Sequence, residues 1–108
     1  LLQNTKKDKL FDWLFKDRES TQVEAEYSNK SSTVIIDRMF IDDDTLWIID
    51  FKTARPMEDE TIGDFIERQK SLHRKQLMKY KVILQGVFNL PTKVALYCPA
   101  ISKLVNFD

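Results

Sequence analysis

The chain has 108 residues, enough for one compact domain with a modest core, and its 43% hydrophobic and 31% charged residues are typical of a globular protein. No apolar run approaches the roughly 20 residues that a membrane-spanning helix needs, and no secretory leader opens the sequence. The formal net charge is zero, whereas a free-standing nucleic-acid-binding protein is usually basic.

The sequence contains one cysteine, Cys98. A single cysteine excludes an internal disulfide and any iron–sulfur or zinc site built from several cysteines. We expect a buried thiol in a strand and a reducing, cytoplasmic setting. Because the sequence begins at Leu1 rather than at Met, we also expect residues 1–108 to be a single domain cut from a longer chain.

The predicted elements, in chain order, are a helix, three strands, a long helix and one or two strands. The first helix covers 5–16, where Thr5 and Asp8 resemble a capping box ahead of an apolar face. Residues 33–41 are β-branched and aromatic, and they and residues 46–52, on either side of a polar turn, are predicted to be buried strands. Residues 93–98 are predicted to form another strand, 22–28 alternate weakly as a candidate first strand, and 103–107 are a candidate last one.

The long helix is predicted over 73–86, with a possible earlier start near residue 62. Asn89, followed by Leu90 and Pro91, marks its end. This order of elements predicts an α/β sandwich, in which helices flank a central mixed sheet.

Two aspartates interrupt otherwise apolar strands, Asp37 in the second strand and Asp50 in the third. The polar turn over 42–45 predicts an antiparallel hairpin, and a turn centred between Asp43 and Asp44 places Asp37 opposite Asp50. Opposed side chains have Cβ atoms about 4.5–5.5 Å apart, and like charges at that distance are destabilising unless a cation lies between them.

Lys52 lies two residues beyond Asp50 and therefore projects from the same face of its strand. Two carboxylates are a ligand set that suits Mg²⁺, which also retains water and takes phosphate oxygens; Mn²⁺ is a possible substitute. Two acids, an amine and a metal ion suit hydrolysis of a phosphodiester. In the structural alternative, Asp37 pairs with Arg38 or with a distant base, and Lys52 only extends to solvent at a strand end.

Three sequence blocks resemble the PD-(D/E)XK nuclease superfamily, in the C-terminal nuclease domain of RecB- and AddA-type helicase–nucleases. They are Ile36-Asp37-Arg38, then Ile49-Asp50-Phe51-Lys52-Thr53, then Gln76-Leu77-Met78-Lys79-Tyr80, and the resemblance covers roughly 22–98. It implies a restriction-endonuclease-like core and a Mg²⁺-dependent DNA exonuclease acting in DNA repair and recombination. It also implies a helicase motor in the parent chain and leaves a second subunit possible.

The resemblance also implies residue roles. Asp37, Asp50 and the Phe51 carbonyl would be metal ligands, and Lys52 the catalytic lysine. Gln76 and Tyr80 would be an accessory pair near the DNA. A structural alternative makes Tyr80 part of the core and Gln76 a hydrogen-bonding spacer, on a helix face shared with His73, Leu77, Leu84 and Val87.

Two further groups of charges have open interpretations. Six basic residues and no acidic residue lie between Arg68 and Lys81; they could follow a DNA backbone or form a solvated helix face. Glu24 and Glu26 lie in the first strand, where this family often has a glutamate and Glu24 aligns better, although exposure to solvent is the simpler expectation.

The chain departs from the family in lacking a histidine before the first strand, since His73 lies on the other helix. No phosphate-binding loop for ATP is present. A second hypothesis is therefore a catalytically weak scaffold that docks DNA or protein. A third, weaker because of Gln76 and Tyr80, is a junction- or restriction-type endonuclease of the same superfamily.

Overall fold

A computed structural model of the chain describes residues 9–107. Within that range the chain forms two α-helices, five strands and a short 3-10 turn over Pro99–Ile101. The elements in chain order are α1 Lys9–Phe15, β1 Gln22–Ser28, β2 Thr33–Asp42, β3 Thr45–Phe51, α2 Ile62–Phe88, β4 Thr92–Cys98 and β5 Lys103–Phe107. The predicted capping box at Thr5 and Asp8 lies outside the described residues.

The five strands form one mixed sheet in the order β1-β2-β3-β4-β5. Neighbours are antiparallel except β3 and β4, which are parallel and joined by α2 as the crossover. The predicted α/β sandwich is therefore confirmed. No helix within residues 9–107 combines the length and the apolar character needed to cross a lipid bilayer.

The β2–β3 hairpin turns at Asp43 and Asp44, whose φ angles of 51° and 56° are both left-handed. Two left-handed residues match the twist of a two-residue hairpin turn, and aspartate tolerates this conformation better than most residues. The predicted register is confirmed where the ladder is formed, because Met39 pairs with Ile48 and Ile41 pairs with Leu46.

The two helices cover opposite faces of the sheet, and each face has its own apolar core. The larger core lies under α2 and contains Ile36, Met39, Ile48 and Leu77. The smaller core lies under α1, where Leu14 packs with residues of the opposite strand faces. Successive β3 residues alternate between these cores, so that Ile48 and Asp50 lie on the α2 side.

Helix α2 begins after Thr61, whose hydroxyl accepts a hydrogen bond from the Asp64 N–H, and ends at Asn89, which adopts the left-handed conformation of a C-cap. The earlier start near residue 62 is thus the one observed. The predicted inward face is correct for Leu77 and Leu84, which are fully buried, and wrong for Val87, which is 54% exposed. Val87 lies in the last turn, beyond the main area of contact with the sheet.

The pleat of β2 changes phase at Asp37. Ile36 and Met39 both pack under α2 although they are three residues apart, an odd spacing that regular alternation would place on opposite faces. At the same level the β1–β2 ladder lacks a pair between Glu24 and Asp37, and Glu24 has a φ of 46°. This bulge-like irregularity redirects the Asp37 side chain.

Candidate functional site

Asp50 lies near the end of β3 on the face that α2 covers, and it is only 5% exposed. Its Oδ2 atom is buried and has no aligned hydrogen-bond donor. Charged carboxylates are rarely buried to this degree without full hydrogen bonding, because removing the charge from water is costly. Such a placement is typical of a functional rather than a structural aspartate.

The Lys52 Nζ atom lies 3.0 Å from the Asp50 Oδ2 atom. This contact has the distance of an ion pair without the alignment of a hydrogen bond, since Oδ2 remains without an oriented donor. The backbone N–H of Lys52 donates to the Tyr97 carbonyl and continues the β3–β4 ladder one residue past the strand. The ladder therefore fixes the backbone from which the ammonium reaches back to Asp50.

Asp37 reaches the same place from β2. Its Oδ2 atom accepts a 2.9 Å hydrogen bond from the Phe51 N–H. The β2–β3 ladder ends at the pair of Arg38 and Ile49, and extending its register by one residue places Asp37 opposite Asp50. Because of the phase change in β2, the Asp37 carboxylate binds the neighbouring strand instead of simply projecting from the sheet.

The structural alternative for Asp37 is not what the fold contains. The Arg38 guanidinium donates to the carbonyls of Leu14 and Lys16 on the α1 side of the sheet. Arg38 is thus committed to holding the end of α1 and forms no ion pair with Asp37 among the described residues. Lys52, for its part, turns to Asp50 rather than only to solvent.

Burial raises the pKa of Asp50, and the adjacent Asp37 carboxylate adds to this rise, whereas the Lys52 ammonium opposes it. Two acidic groups thus face one basic group, and the ionised cluster has an excess of negative charge. A divalent cation would compensate that excess, and carboxylate oxygens are hard ligands that suit Mg²⁺.

Within residues 9–107 no group of three or more His, Cys, Asp or Glu side chains is placed to hold a metal ion. The carboxylates that converge at this place are those of Asp37 and Asp50. Mg²⁺ is commonly held by only one or two carboxylates, together with water and phosphate oxygens. The role of the Phe51 carbonyl as a third ligand stays a prediction.

Gln76 and Tyr80 share one face of α2 but differ in burial. Tyr80 is buried, and burial raises the pKa of its hydroxyl, as do the negative charges of Asp50 and then Asp37. The hydroxyl is therefore within electrostatic reach of the acid pair. Gln76 is exposed, and a hydrogen bond with its side chain opposes the rise in the pKa of Tyr80. With Tyr80 in the core under α2, both residues also fit the structural alternative.

Two residues of α2 that sequence reasoning set aside or missed lie on its sheet-facing side. His73 is half-buried, and burial followed by the positive charge of Lys52 lowers its pKa, which brings it into the surroundings of the site. Gln69 is fully buried, and its Oε1 atom has no hydrogen-bond partner. Gln69 lies four residues after Phe65 and His73 lies eight residues after it. Because Phe65 belongs to the inward face of the helix, this spacing could have identified both residues.

The other candidates have simpler positions. Glu24 and Glu26 are both exposed, as the simpler expectation had them. Cys98 is buried in β4, as predicted, and burial raises the pKa of its thiol.

A scan against protein-family models finds no match to this chain, and a search of curated proteins finds none either. The resemblance to nucleases therefore depends on the three sequence blocks.

Proposed function

We propose that the chain is the Mg²⁺-dependent DNA-cutting domain of a helicase–nuclease. One observation carries the proposal: the buried Asp50 oxygen without an aligned donor lies beside a second carboxylate and an amine. Such a group of charges costs stability and has an immediate chemical use in phosphodiester hydrolysis. The cytoplasmic setting, the helicase motor and a second subunit are parts of the same proposal.

The residues present fit a divalent ion. Asp50 and Asp37 offer oxygen ligands from two adjacent strands, and the ion would be held where their charges add. When bound, Mg²⁺ lowers the pKa of a water molecule and neutralises charge on the phosphate. Mn²⁺ offers the same coordination chemistry.

The chain's own residues supply positioning and charge. The Phe51 N–H fixes the Asp37 carboxylate, and the β3–β4 ladder fixes the backbone of Lys52. The Lys52 ammonium, which is partly exposed, can donate to the attacking water or to a phosphate oxygen as negative charge develops. Burial raises the pKa of the Tyr80 hydroxyl, and the negative charges of Asp50 and Asp37 add to this rise, so Tyr80 lies within electrostatic reach of both carboxylates.

The test is cleavage of end-labelled linear DNA in Mg²⁺ by the chain and by the variants Asp50→Asn and Lys52→Gln. We expect each variant to cut at least about 100-fold more slowly, as is typical when a transition-state charge partner is removed. Asp43→Asn is the matched control, because it makes the same substitution in the exposed turn of the same hairpin.

Equal cutting by Asp50→Asn and by the wild-type chain would overturn the proposal. If the wild-type chain binds DNA yet does not cut it in Mg²⁺ or Mn²⁺, the scaffold hypothesis would replace it. Products read on a sequencing gel would also separate cutting from an end, which we expect, from cutting at internal positions.

A further inference from the structure

Strand β5 forms one edge of the sheet, because no strand within residues 9–107 pairs with its outer side. All of its residues pair with β4, from Lys103 opposite Cys98 to Phe107 opposite Val94, and none of them has a left-handed φ angle. An edge strand leaves the outward N–H and C=O groups of alternate residues without backbone partners, and these groups can pair with another chain. β5 is therefore a regular edge that is open to one more strand.

The opposite edge of the sheet, β1, differs from β5 in both backbone and charge. The β1–β2 ladder lacks a pair at Glu24, whose φ angle is 46°, and Glu24 and Glu26 are both exposed. Bulges and charged side chains protect edge strands from unwanted pairing. β5 has no such irregularity, and the charge beside it is positive, which repels basic strands and attracts acidic ones.

Three basic residues of α2 lie on the flank of the helix that borders β5. Lys70, Arg74 and Lys81 are separated by four and seven residues, so they follow one flank of the helix. The Arg74 guanidinium lies 5.5 Å from the centre of the Phe107 ring, and Lys81 and Phe107 line a common pocket. Because Phe107 is the last residue of β5, these contacts place the basic flank beside this edge strand.

Lys103 adds a fourth positive charge from β5 itself. It is exposed and lies two residues before Val105, which packs under α2, so its side chain leaves the sheet on the α2 face. The helix rises about 16 Å from Lys70 to Lys81, and β5 is about 14 Å long, so the charges extend along the whole strand. No acidic side chain in residues 9–107 lies within ion-pair distance of any of the four bases.

We propose that β5 is the docking site for an acidic, extended segment of a partner protein, which adds to the sheet as a sixth strand. The backbone of the segment pairs with the outward groups of β5. Its acidic side chains, at alternate positions, share one face and meet Lys103 and the basic flank of α2. A nucleic acid is also negatively charged, but it has no peptide groups with which to continue the ladder.

The docking site is separate from the proposed reaction centre and does not rest on the nuclease assignment. Asp37 and Asp50 lie on β2 and β3, and β4 lies between them and β5. Binding at β5 needs neither the acid pair nor a metal ion, so each proposal can fail while the other stands.

The first test uses a fluorescent peptide of about ten residues, the length of a long strand, in which glutamate and threonine alternate. Anisotropy in EDTA measures its binding to the chain. One control peptide has the same composition with its glutamates in a single block, and the other is N-methylated at every peptide nitrogen. We expect the alternating peptide to bind at least about tenfold more tightly than either control, since each net hydrogen bond contributes roughly fivefold.

The second test changes the protein. Lys70→Gln with Lys81→Gln should weaken binding of the alternating peptide about fivefold at low salt, as expected for two exposed ion pairs. The matched control is Lys75→Gln with Lys79→Gln, which removes the same charge from the other flank of α2, beside the start of β2, and should leave binding unchanged. Equal losses in both double variants, or equal binding of the block peptide, would overturn the inference, because either result would show only general charge attraction.

Hydrogen exchange followed by mass spectrometry locates the bound peptide. We expect slower exchange over 103–107 in its presence and no change over 22–28, since only β5 gains backbone partners. Protection of 22–28 instead, or of neither segment, would contradict docking at β5. Sedimentation velocity of the chain alone tests a different occupant: a dimer that the peptide dissociates would show that a second copy covers this edge, and would also overturn the inference.

Discussion

At the scale of single residues, the Asp50 carboxylate is held in an environment that favours its neutral form. It is almost fully buried, a second carboxylate lies beside it, and one partly exposed ammonium compensates the pair. Interactions of this kind raise the free energy of the folded state when no metal ion is present, and natural active sites often carry such a cost.

Asp50→Asn should therefore stabilise the metal-free chain at neutral pH. We expect a gain of about 1 kcal/mol, or roughly 4–8 °C in melting temperature for a domain of this size. Added Mg²⁺ should raise the melting temperature of the wild-type chain but not that of the variant, because a ligand stabilises only the state that binds it. Thermal unfolding followed by circular dichroism in EDTA and in Mg²⁺ measures both effects.

Asp43→Asn is the control for this comparison, since it removes an exposed carboxylate from a turn whose left-handed conformation asparagine also accepts. Loss of stability in Asp50→Asn without metal would show that the buried carboxylate is a structural partner of Lys52 rather than a site held ready for a cation.

Single residues also show where sequence reasoning succeeds and where it fails. Asp37 and Asp50 could be found because each interrupts an apolar strand and a short turn fixes their register. The hydrogen bond from Phe51 to Asp37 could not, because it depends on a phase change opposite Glu24. Glutamate with a positive φ has no local sequence signal, unlike glycine or asparagine at such positions.

At the scale of elements, arginine side chains add polar contacts to the apolar packing of α1 on the sheet. The Arg38 guanidinium donates to the carbonyls of Leu14 and Lys16 and lies 5.2 Å from the centre of the Phe15 ring. Its planar fork satisfies carbonyls at the end of the helix that have no partner within it. Arg38 directly follows Asp37. Its hydrogen bonds to the end of α1 therefore also fix the position of β2 where the strand's alternation between the two sheet faces is interrupted.

Arg38→Ala should destabilise the chain by about 2–4 kcal/mol, since it removes two charge-assisted hydrogen bonds and a cation–π contact. Arg38→Lys should recover only part of this, because an ammonium cannot reproduce the fork. Urea denaturation measures the change, and Arg55→Ala is a control at an exposed arginine. An Arg38→Ala variant as stable as that control would refute the anchoring role.

The ends of the elements followed largely from local signals. Asp43 and Asp44 marked the hairpin turn, and Asn89 ahead of Leu90 and Pro91 marked the end of α2. The start of α2 was ambiguous because its first turns are charged and have a weak apolar pattern. The exposure of Val87 was missed because helical periodicity indicates a face of the helix but not how far the contacting sheet extends.

At the scale of the whole molecule, charge is distributed unevenly although the sum is zero. Asp37 and Asp50 lie within electrostatic reach of Tyr80 on the sheet-facing side of α2, whereas Lys75 and Lys79 are exposed residues of the same helix. In the proposed function, the lysines attract the phosphate backbone, and a cation bound to the carboxylates removes their repulsion of the phosphate. The net charge of the sequence does not reveal this arrangement, because it is a sum over charges that the fold places on different faces.

The sandwich itself could be predicted because its elements are strongly patterned and the connections between them are short. The exposure of Ile35 and Leu72 could not, because both are large aliphatic residues that periodicity alone assigns to a core.

Isothermal titration calorimetry with Mg²⁺ tests most directly whether Asp37 and Asp50 hold a cation. We predict one bound ion in the wild-type chain, at least about tenfold weaker binding in Asp37→Asn and in Asp50→Asn, and retained binding in Lys52→Gln, because the ammonium now 3.0 Å from Asp50 would no longer compete with the ion. Mg²⁺ binding that is the same in the wild-type chain and in both aspartate variants, or no binding to any of them, would contradict the account.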